Sequence, residues 1–105
     1  KNATLALCFN YGGQQEIIDA VKAAQANGEE ISAESIEAHL YGGSDIPAVD
    51  FLIRTSGEHR ISNFMLWRAA YSELYFTNVL WPDFNEQELD KALAVYASRQ
   101  RRFGS

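Results

Sequence analysis

The sequence predicts an α/β fold in which a mostly parallel sheet is flanked by helices. Two apolar segments, residues 4–10 and 50–55, are typical of strands, and a helical pattern follows the first of them after a glycine pair. The unbroken apolar run of residues 51–53 favours a strand covered on both faces, as in parallel sheets. Because open α/β sheets place ligands at the carboxyl ends of their strands, we expect the functional site just after this second strand.

Composition limits the possible classes of protein. A chain of 105 residues forms at most one small domain, and its hydrophobic fraction of 47% is enough for a packed core. The formal net charge of −5 argues against nucleic-acid binding. No apolar run approaches the roughly 20 residues that span a bilayer, and no secretory signal pattern is present. We therefore expect a cytoplasmic protein, with Cys8 as a small buried residue in a reducing compartment.

The first half of the chain contains two helical patterns. After the strand of residues 4–10, Gly12-Gly13 precedes a helix that ends at Asn27-Gly28. Its predicted buried face consists of Ile17, Ile18, Val21 and Ala24. The glycine pair is interpreted either as a tight turn with positive φ or as a place where backbone N–H groups approach an anion. A second helix lies between residues 29 and 41, with Ser32 as its cap and His39 half-buried on it.

The second half of the chain alternates strands and helices. The strand of residues 50–55 delivers Arg54 at its carboxyl end, residues 64–70 have a helical pattern, and residues 74–79 form the next strand. Asn85 caps the last helix, with Glu88 three residues later. The predicted buried stripe of that helix is Leu89, Ala92, Leu93 and Tyr96.

Polar side chains are concentrated between the second strand and the helical pattern that follows it. Arg54 and Arg60 lie six positions apart, with Ser and Thr hydroxyls and an expected helix N-terminus nearby. Guanidinium groups, hydroxyls and free helix N–H groups all favour phosphate, so the segment suits a phosphate or diphosphate. The alternative is that both are ordinary surface arginines, with Glu58 as an ion-pair partner.

Glu73 is a carboxylate bracketed by aromatic and apolar residues at the start of the third predicted strand. An isolated buried charge is very costly, so Glu73 must find a partner, either a metal ion or an arginine. The arginines considered for a structural ion pair are Arg54 and Arg60.

Several ordered blocks resemble the C-terminal half of the cis-prenyltransferase family, which includes the bacterial undecaprenyl diphosphate synthases, also called isoprenyl transferases. The blocks are Phe9-Asn-Tyr-Gly-Gly13, Ile53-Arg-Thr-Ser-Gly-Glu-His-Arg-Ile-Ser-Asn-Phe64, Leu66-Trp67, Tyr71-Ser-Glu-Leu-Tyr-Phe76, Trp81-Pro-Asp-Phe84 and Arg101-Arg-Phe-Gly104. The resemblance covers nearly the whole chain and implies a Rossmann-like fold. It also implies an enzyme that condenses isopentenyl diphosphate with an allylic diphosphate, such as farnesyl diphosphate, into a Z-polyprenyl diphosphate.

The resemblance implies a role for each residue that matches a family motif. Arg54, Arg60 and Ser62 would bind the diphosphate of isopentenyl diphosphate, and Glu73 would hold Mg²⁺. Glu58 and His59 would supply supporting hydrogen bonds. Arg102 and Gly104 would reach a diphosphate in the site of the neighbouring subunit.

One family motif has no counterpart in this sequence. The N-terminal Asp-Gly-Asn-x-Arg-Trp motif, whose aspartate is the family's principal Mg²⁺ ligand, does not occur in the 105 residues. We therefore expect residues 1–105 to be the C-terminal half of a single domain whose N-terminal half is not included, with no turnover when tested alone. Two other functions stay open: a non-catalytic subunit of a heteromeric prenyltransferase that lends its C-terminal arginine, and a general phosphoester-binding module outside the family.

The expected partners follow from the same resemblance and from an aromatic cluster. Trp67, Tyr71, Tyr75 and Phe76 exceed what a small core needs, so we expect a homodimer. Because the product of the family is membrane-associated, the protein is also expected to work peripherally at the membrane, without a transmembrane segment of its own.

Overall fold

A computed structural model describes residues 3–104 of the chain, with side chains for residues 3–99. The described chain contains three α-helices and two strands, in the order α1 (Gly13–Ala26), α2 (Ala33–His39), β1 (Phe51–Arg54), β2 (Glu73–Phe76) and α3 (Glu86–Gly104), and two short 3-10 helices at Gly43–Asp45 and Trp81–Asp83. The Cα positions fall into two compact units, residues 3–47 with 63–66 and residues 48–62 with 67–104.

In the first unit, α1 packs against α2 through small side chains. The buried face of α1 consists of Gly13, Glu16, Ala20 and Ala24, at helical spacing. The predicted face of Ile17, Ile18, Val21 and Ala24 is therefore wrong except at Ala24, since Ile18 is exposed and the other two are only half-buried. Small side chains allow the two helices to approach closely, and α2 contributes the buried Ile36 to this contact layer.

The cap predicted for α2 is confirmed. The Ser32 hydroxyl accepts a hydrogen bond from the Ser35 backbone N–H at 3.1 Å, and the Ser35 hydroxyl accepts one from the Ser32 N–H at 2.9 Å. The helix is shorter than residues 29–41. His39 is half-buried, as predicted, and its Nε2 lies 3.1 Å from Glu29 Oε1.

Glu16 is a buried carboxylate that joins three parts of the first unit. Only 1% of its surface is exposed. One carboxylate oxygen accepts a hydrogen bond from the Tyr11 hydroxyl, and the other accepts one from the Tyr41 backbone N–H at 3.0 Å. Partial burial, together with the bond to Glu16, raises the pKa of Tyr11 well above its usual value. The Tyr11 ring also packs edge-on against Phe64, with ring centroids 5.4 Å apart.

Residues 4–10 do not form the predicted strand. This segment has no regular secondary structure, and Leu5, Leu7 and Phe9 are largely exposed. Cys8 is exposed as well, so the prediction of a buried thiol is wrong. A strand needs a hydrogen-bonding neighbour, and within residues 3–104 the only strands that pair are β1 and β2.

In the second unit, β1 and β2 form a parallel pair. Their register sets Phe51 opposite Glu73 and Arg54 opposite Phe76. The Phe51 ring lies 4.8 Å from that of Tyr96 on α3, and α3 also packs on β2. The pairing confirms the predicted parallel α/β arrangement, although β2 begins at Glu73 and ends at Phe76, earlier than predicted.

The start of α3 is also as predicted, but its buried stripe is narrower. Asn85 Oδ1 accepts a hydrogen bond from the Glu88 N–H at 3.0 Å, which confirms the cap. Ala92 is fully buried and Tyr96 half-buried. Leu89 and Leu93 are exposed, so they do not belong to the buried stripe.

Residues 64–70 form turns, so the helix predicted there is wrong. Ser62, Asn63 and Met65 adopt positive φ, which is incompatible with a right-handed helix. The apolar side chains of residues 64–70 therefore pack from turns and not from a helix.

Within the described part of the chain, no helix combines the length and apolarity that crossing a membrane requires.

The raised pKa of Tyr11 predicts alkaline destabilisation. Above about pH 10 the unfolded tyrosines lose their protons, while folded Tyr11 keeps its own, so the free energy of unfolding falls as pH rises. Urea unfolding between pH 8 and 11 measures this slope. Tyr11→Phe is expected to flatten it, leaving a residual slope from Tyr41, whose pKa is raised by its hydrogen bond to Asp19.

A matched control for Tyr11→Phe is Tyr71→Phe, because the Tyr71 side chain is fully exposed. This variant is expected to keep the slope of the wild-type protein. An unchanged slope in Tyr11→Phe would show that the Tyr11 hydroxyl does not carry the effect.

Candidate functional site

The candidate site is the arginine loop, residues 54–62, which leaves the carboxyl end of β1. Backbone hydrogen bonds hold its first part to the segment after β2: the Thr77 N–H donates to the Arg54 carbonyl at 2.9 Å, and the Gly57 N–H donates to the Thr77 carbonyl at 2.9 Å. The Ser56 N–H donates to the Val79 carbonyl at 2.8 Å. The first part of the loop, residues 54–57, is therefore fixed through main-chain contacts.

The turn at Ser56-Gly57 explains why this loop has a glycine. Both residues have positive φ, 68° and 75°. A Cβ at Gly57 would lie 3.2 Å from Asn78 Oδ1, so a side chain there would be crowded as well as strained. The predicted turn signal is confirmed, and it is this turn that folds the loop back toward its own start.

Arg54 and Arg60 are brought together by one hydrogen bond. Arg54 Nη1 donates to the Arg60 backbone carbonyl at 3.2 Å, so the first guanidinium lies beside the main chain of the second arginine. Arg60 Nη1 in turn lies 2.7 Å from Glu58 Oε1, and the Arg60 side chain is 72% exposed. The alternative interpretation, a surface arginine paired with Glu58, thus describes Arg60 in this structure.

The Arg60–Glu58 pair is a weak competitor for an anionic ligand. Exposed ion pairs contribute about 0–1 kcal/mol, because water already solvates both charges. A diphosphate offers several charged oxygens to the same guanidinium, and charge-assisted bonds to phosphate are stronger. The pairing therefore leaves Arg60 able to exchange Glu58 for a diphosphate.

The other predicted residues of the loop lie on or near the same stretch. The His59 ring packs against Phe76, with centroids 5.4 Å apart, and Phe76 is the residue that pairs with Arg54. Ser62 is exposed at the end of the loop. The helix N-terminus expected nearby does not form, and the Ser56 and Gly57 N–H groups are already bonded, so the site relies on its side chains.

Glu73 does not join the arginine loop. It begins β2, whereas Arg54 lies opposite Phe76 three residues further along, which is about 10 Å at the rise of a strand. Its partner is Arg99 on α3: Nη1 lies 3.5 Å from Glu73 Oε1 and also donates to the Leu74 carbonyl. The prediction that Glu73 pairs with an arginine is confirmed. The prediction that this arginine is Arg54 or Arg60 is wrong, because the parallel register separates them from Glu73.

The described side chains do not by themselves build a Mg²⁺ site. Mg²⁺ prefers six oxygen ligands, usually one or two carboxylates with phosphate oxygens and water. Among residues 3–99, no group of three or more His, Cys, Asp or Glu side chains is arranged to hold a metal ion. Glu73 offers one carboxylate, which Arg99 already contacts.

The N-terminus of α1 is not open to an anion. The Gly13 N–H donates to the Asn63 carbonyl at 2.6 Å, and the Gln14 N–H donates to Asn63 Oδ1 at 2.9 Å. Gly12 has a φ of −138°, so the positive-φ turn predicted for this pair is wrong. The need for glycine is steric: a Cβ at Gly13 would lie 2.7 Å from the Asn63 carbonyl oxygen.

Sequence reasoning missed three residues that organise the structure: Glu16, Asn63 and Arg99. Glu16 had a signal, since it stands at helical spacing from Gly13, Ala20 and Ala24. Asn63 and Arg99 bond to residues 25 or more positions away, and no local sequence pattern indicates such contacts. Arg102 and Gly104 belong to α3, but the placement of their side chains lies outside the described residues.

A parallel strand pair, an arginine loop at its carboxyl end and a long final helix make up an α/β arrangement, and comparison identifies the family. The chain belongs to the prenyltransferase family: the family model described as "putative undecaprenyl diphosphate synthase" matches residues 1–104. The family assignment made from the sequence motifs is thereby confirmed.

Particular relatives narrow this class. The chain is 56% identical over 102 residues to the isoprenyl transferase of Fusobacterium nucleatum, covering 96% of this chain and 44% of that protein. It is 51% identical over 106 residues to the ditrans,polycis-undecaprenyl-diphosphate synthase, (2E,6E)-farnesyl-diphosphate specific, of Coxiella burnetii, covering 95% of this chain and 45% of the relative.

A solved structure shows the same fold. The crystal structure of a probable undecaprenyl diphosphate synthase from Campylobacter jejuni superposes with a TM-score of 0.78 at 32% identity. The superposition covers 92% of this chain and 45% of the chain in the solved structure. The predicted fold class is confirmed, and the chain spans less than half the length of the relatives that it matches.

The Arg99 contacts give a stability prediction. Arg99→Met keeps the apolar stem but removes the bonds to Glu73 and to the Leu74 carbonyl, leaving a carboxylate that is only 18% exposed without its cation. We expect the free energy of unfolding to fall by about 1–2 kcal/mol, measured by urea denaturation.

Lys91→Met is the matched control, because Lys91 pairs with Glu88 at 3.5 Å on the exposed side of the same helix. It is expected to change the free energy of unfolding by less than about 0.5 kcal/mol. Equal losses in the two variants would show that the Arg99 contacts contribute nothing specific.

Proposed function

We propose that this chain carries the isopentenyl-diphosphate half of a cis-prenyltransferase site. The whole protein would condense isopentenyl diphosphate with an allylic diphosphate, farnesyl diphosphate by analogy with the Coxiella burnetii relative, into a Z-polyprenyl diphosphate of the undecaprenyl type. The observation that carries the proposal is the bond from Arg54 to the Arg60 carbonyl, which gathers two guanidinium-bearing residues at the carboxyl end of β1.

The arginine loop would hold the substrate by its charge. Arg54 and Arg60 would neutralise the diphosphate of isopentenyl diphosphate, and the exposed Ser62 hydroxyl would donate a further bond. Glu58 would release Arg60 as the ligand enters, and His59, packed on Phe76, would support the loop. Held in this way, the substrate presents its double bond to the allylic carbon from which pyrophosphate leaves.

The remaining elements of the proposal concern the whole protein. Mg²⁺ would neutralise diphosphate charge, with Glu73 as one ligand and the other protein ligands from outside the described residues. Arg102 and Gly104 would reach the site of a second subunit in a homodimer. The protein would act in the cytoplasm, peripherally at the membrane that receives its product.

Isothermal titration of the purified chain with isopentenyl diphosphate tests the proposal. Loss of a charge-assisted bond to phosphate corresponds to about 10- to 100-fold in affinity, so Arg54→Met and Arg60→Met are each expected to weaken binding by that factor. Glu58→Gln removes the competitor for Arg60 and is expected to strengthen binding about two- to fivefold.

Lys22→Met is the control, since it removes one exposed positive charge from α1 and is expected to leave the affinity unchanged. Equal affinity for inorganic phosphate and isopentenyl diphosphate would favour the general phosphoester-binding module instead. Given both diphosphates and Mg²⁺, the 105-residue chain is expected to form no polyprenyl product; product formation would contradict the half-site.

A further inference from the structure

The two parts of the arginine loop are held by different kinds of contact. Residues 54–57 bond through the main chain to residues 77 and 79, whereas side chains reach residues 58–60. We propose that Phe76, at the end of β2, is a positioning residue that holds this second part of the loop through the ring of His59. The inference rests on the proposed role of Arg60 in diphosphate binding, and it adds a residue outside the loop that has no substrate contact of its own.

Main-chain bonds hold Phe76 in place at the end of its strand. Phe76 lies opposite Arg54 in the parallel register. The next residue, Thr77, donates its N–H to the Arg54 carbonyl at 2.9 Å and accepts the Gly57 N–H at 2.9 Å. The Phe76 side chain is half-buried. Its ring is therefore a fixed support beside the start of the loop.

Two side-chain contacts bring the second part of the loop back to the strand ends. Arg54 Nη1 donates to the Arg60 carbonyl at 3.2 Å. The His59 ring packs on the Phe76 ring, with centroids 5.4 Å apart and planes tilted by 45°, which is within the range of favourable aromatic pairs. Because His59 directly precedes Arg60, the two contacts restrain the Arg60 backbone at neighbouring points.

Ligand binding affects these two contacts differently. A diphosphate would compete with the Arg60 carbonyl for the Arg54 guanidinium, because both supply oxygens to the same N–H groups. The Phe76 ring has no hydrogen-bonding group that a diphosphate would attract, so its contact with His59 can persist. The ring contact therefore keeps Arg60 near the end of β1 while Arg54 changes its partner.

Substitutions in β2 separate the ring contact from ordinary packing. Phe76→Leu keeps an apolar side chain in the strand but removes the ring, whereas Phe76→Tyr keeps a ring against His59. Tyr75→Leu is the matched control, because Tyr75 is the preceding half-buried aromatic residue of the same strand and its side chain points to the opposite face of the sheet. The Tyr75 ring lies 6.2 Å from that of Phe51.

The experiment measures the affinity of the chain for isopentenyl diphosphate by isothermal titration, with and without Arg60→Met, and checks by urea unfolding that each variant is folded. Phe76→Leu is expected to weaken binding about 3- to 10-fold, and Phe76→Tyr to recover most of that loss. Tyr75→Leu is expected to leave the affinity unchanged. In the Arg60→Met background, Phe76→Leu is expected to change the affinity by less than about twofold, because the residue through which it acts is gone.

The outcomes distinguish failure of this inference from failure of the proposed function. If Arg60→Met weakens binding while folded Phe76→Leu binds like wild type, the positioning role is wrong and the proposed function stands. Equal losses from Phe76→Leu in the two backgrounds would show that its effect does not pass through Arg60, which also overturns the inference. If Arg60→Met has no effect, the proposed role of Arg60 fails, and the inference fails with it.

Discussion

The parallel pairing of β1 with β2, continued by main-chain bonds beyond both strand ends, is the constraint on which the site depends. The register sets Arg54 opposite Phe76, and the bonds among Arg54, Thr77 and Gly57 carry the pairing into the arginine loop. These main-chain contacts hold residues 54–57, and the bond from the Arg54 guanidinium to the Arg60 carbonyl brings the rest of the loop back to its start. Anion binding requires a rigid backbone whose side chains can contact the ligand.

Arg54, Arg60 and Glu73 each have a partner within the chain. Arg60 pairs with Glu58, Glu73 with Arg99, and Arg54 with a carbonyl oxygen. Ligand binding at this loop is then an exchange of partners, and its free energy is the difference between the diphosphate contacts and those they replace. The exposed Arg60–Glu58 pair is the contact that water weakens most, which makes Arg60 the residue most ready to exchange.

Local patterns predicted those parts of the fold that local physics determines. The caps Ser32 and Asn85 use hydrogen bonds within three residues, and β1 ends at Arg54 as its apolar run implies. The helix expected at residues 64–70 does not form because Met65 has positive φ and Asn63, just before the segment, is hydrogen-bonded to α1. Apolar spacing cannot report such a distant contact.

The sequence predicted which residues belong to the site better than it predicted how they are arranged in space. The arginine loop follows from residue types and from the rule for strand ends, and the resemblance supplied their roles. The separation of Glu73 from Arg54 could not be foreseen, because it depends on the register between two strands 19 residues apart. Glu16 was missed because a carboxylate on the apolar face of a helix is compensated by Tyr11 and by a backbone N–H 25 residues away.

A crystal structure of the protein with isopentenyl diphosphate bound tests the central claim most directly. The account predicts that the guanidinium groups of Arg54 and Arg60 both lie about 3 Å from oxygens of the same diphosphate, with Arg60 released from Glu58. It also predicts that the Ser56 and Gly57 backbone bonds stay as they are. A diphosphate bound elsewhere, with the Arg60–Glu58 pair intact, would contradict it.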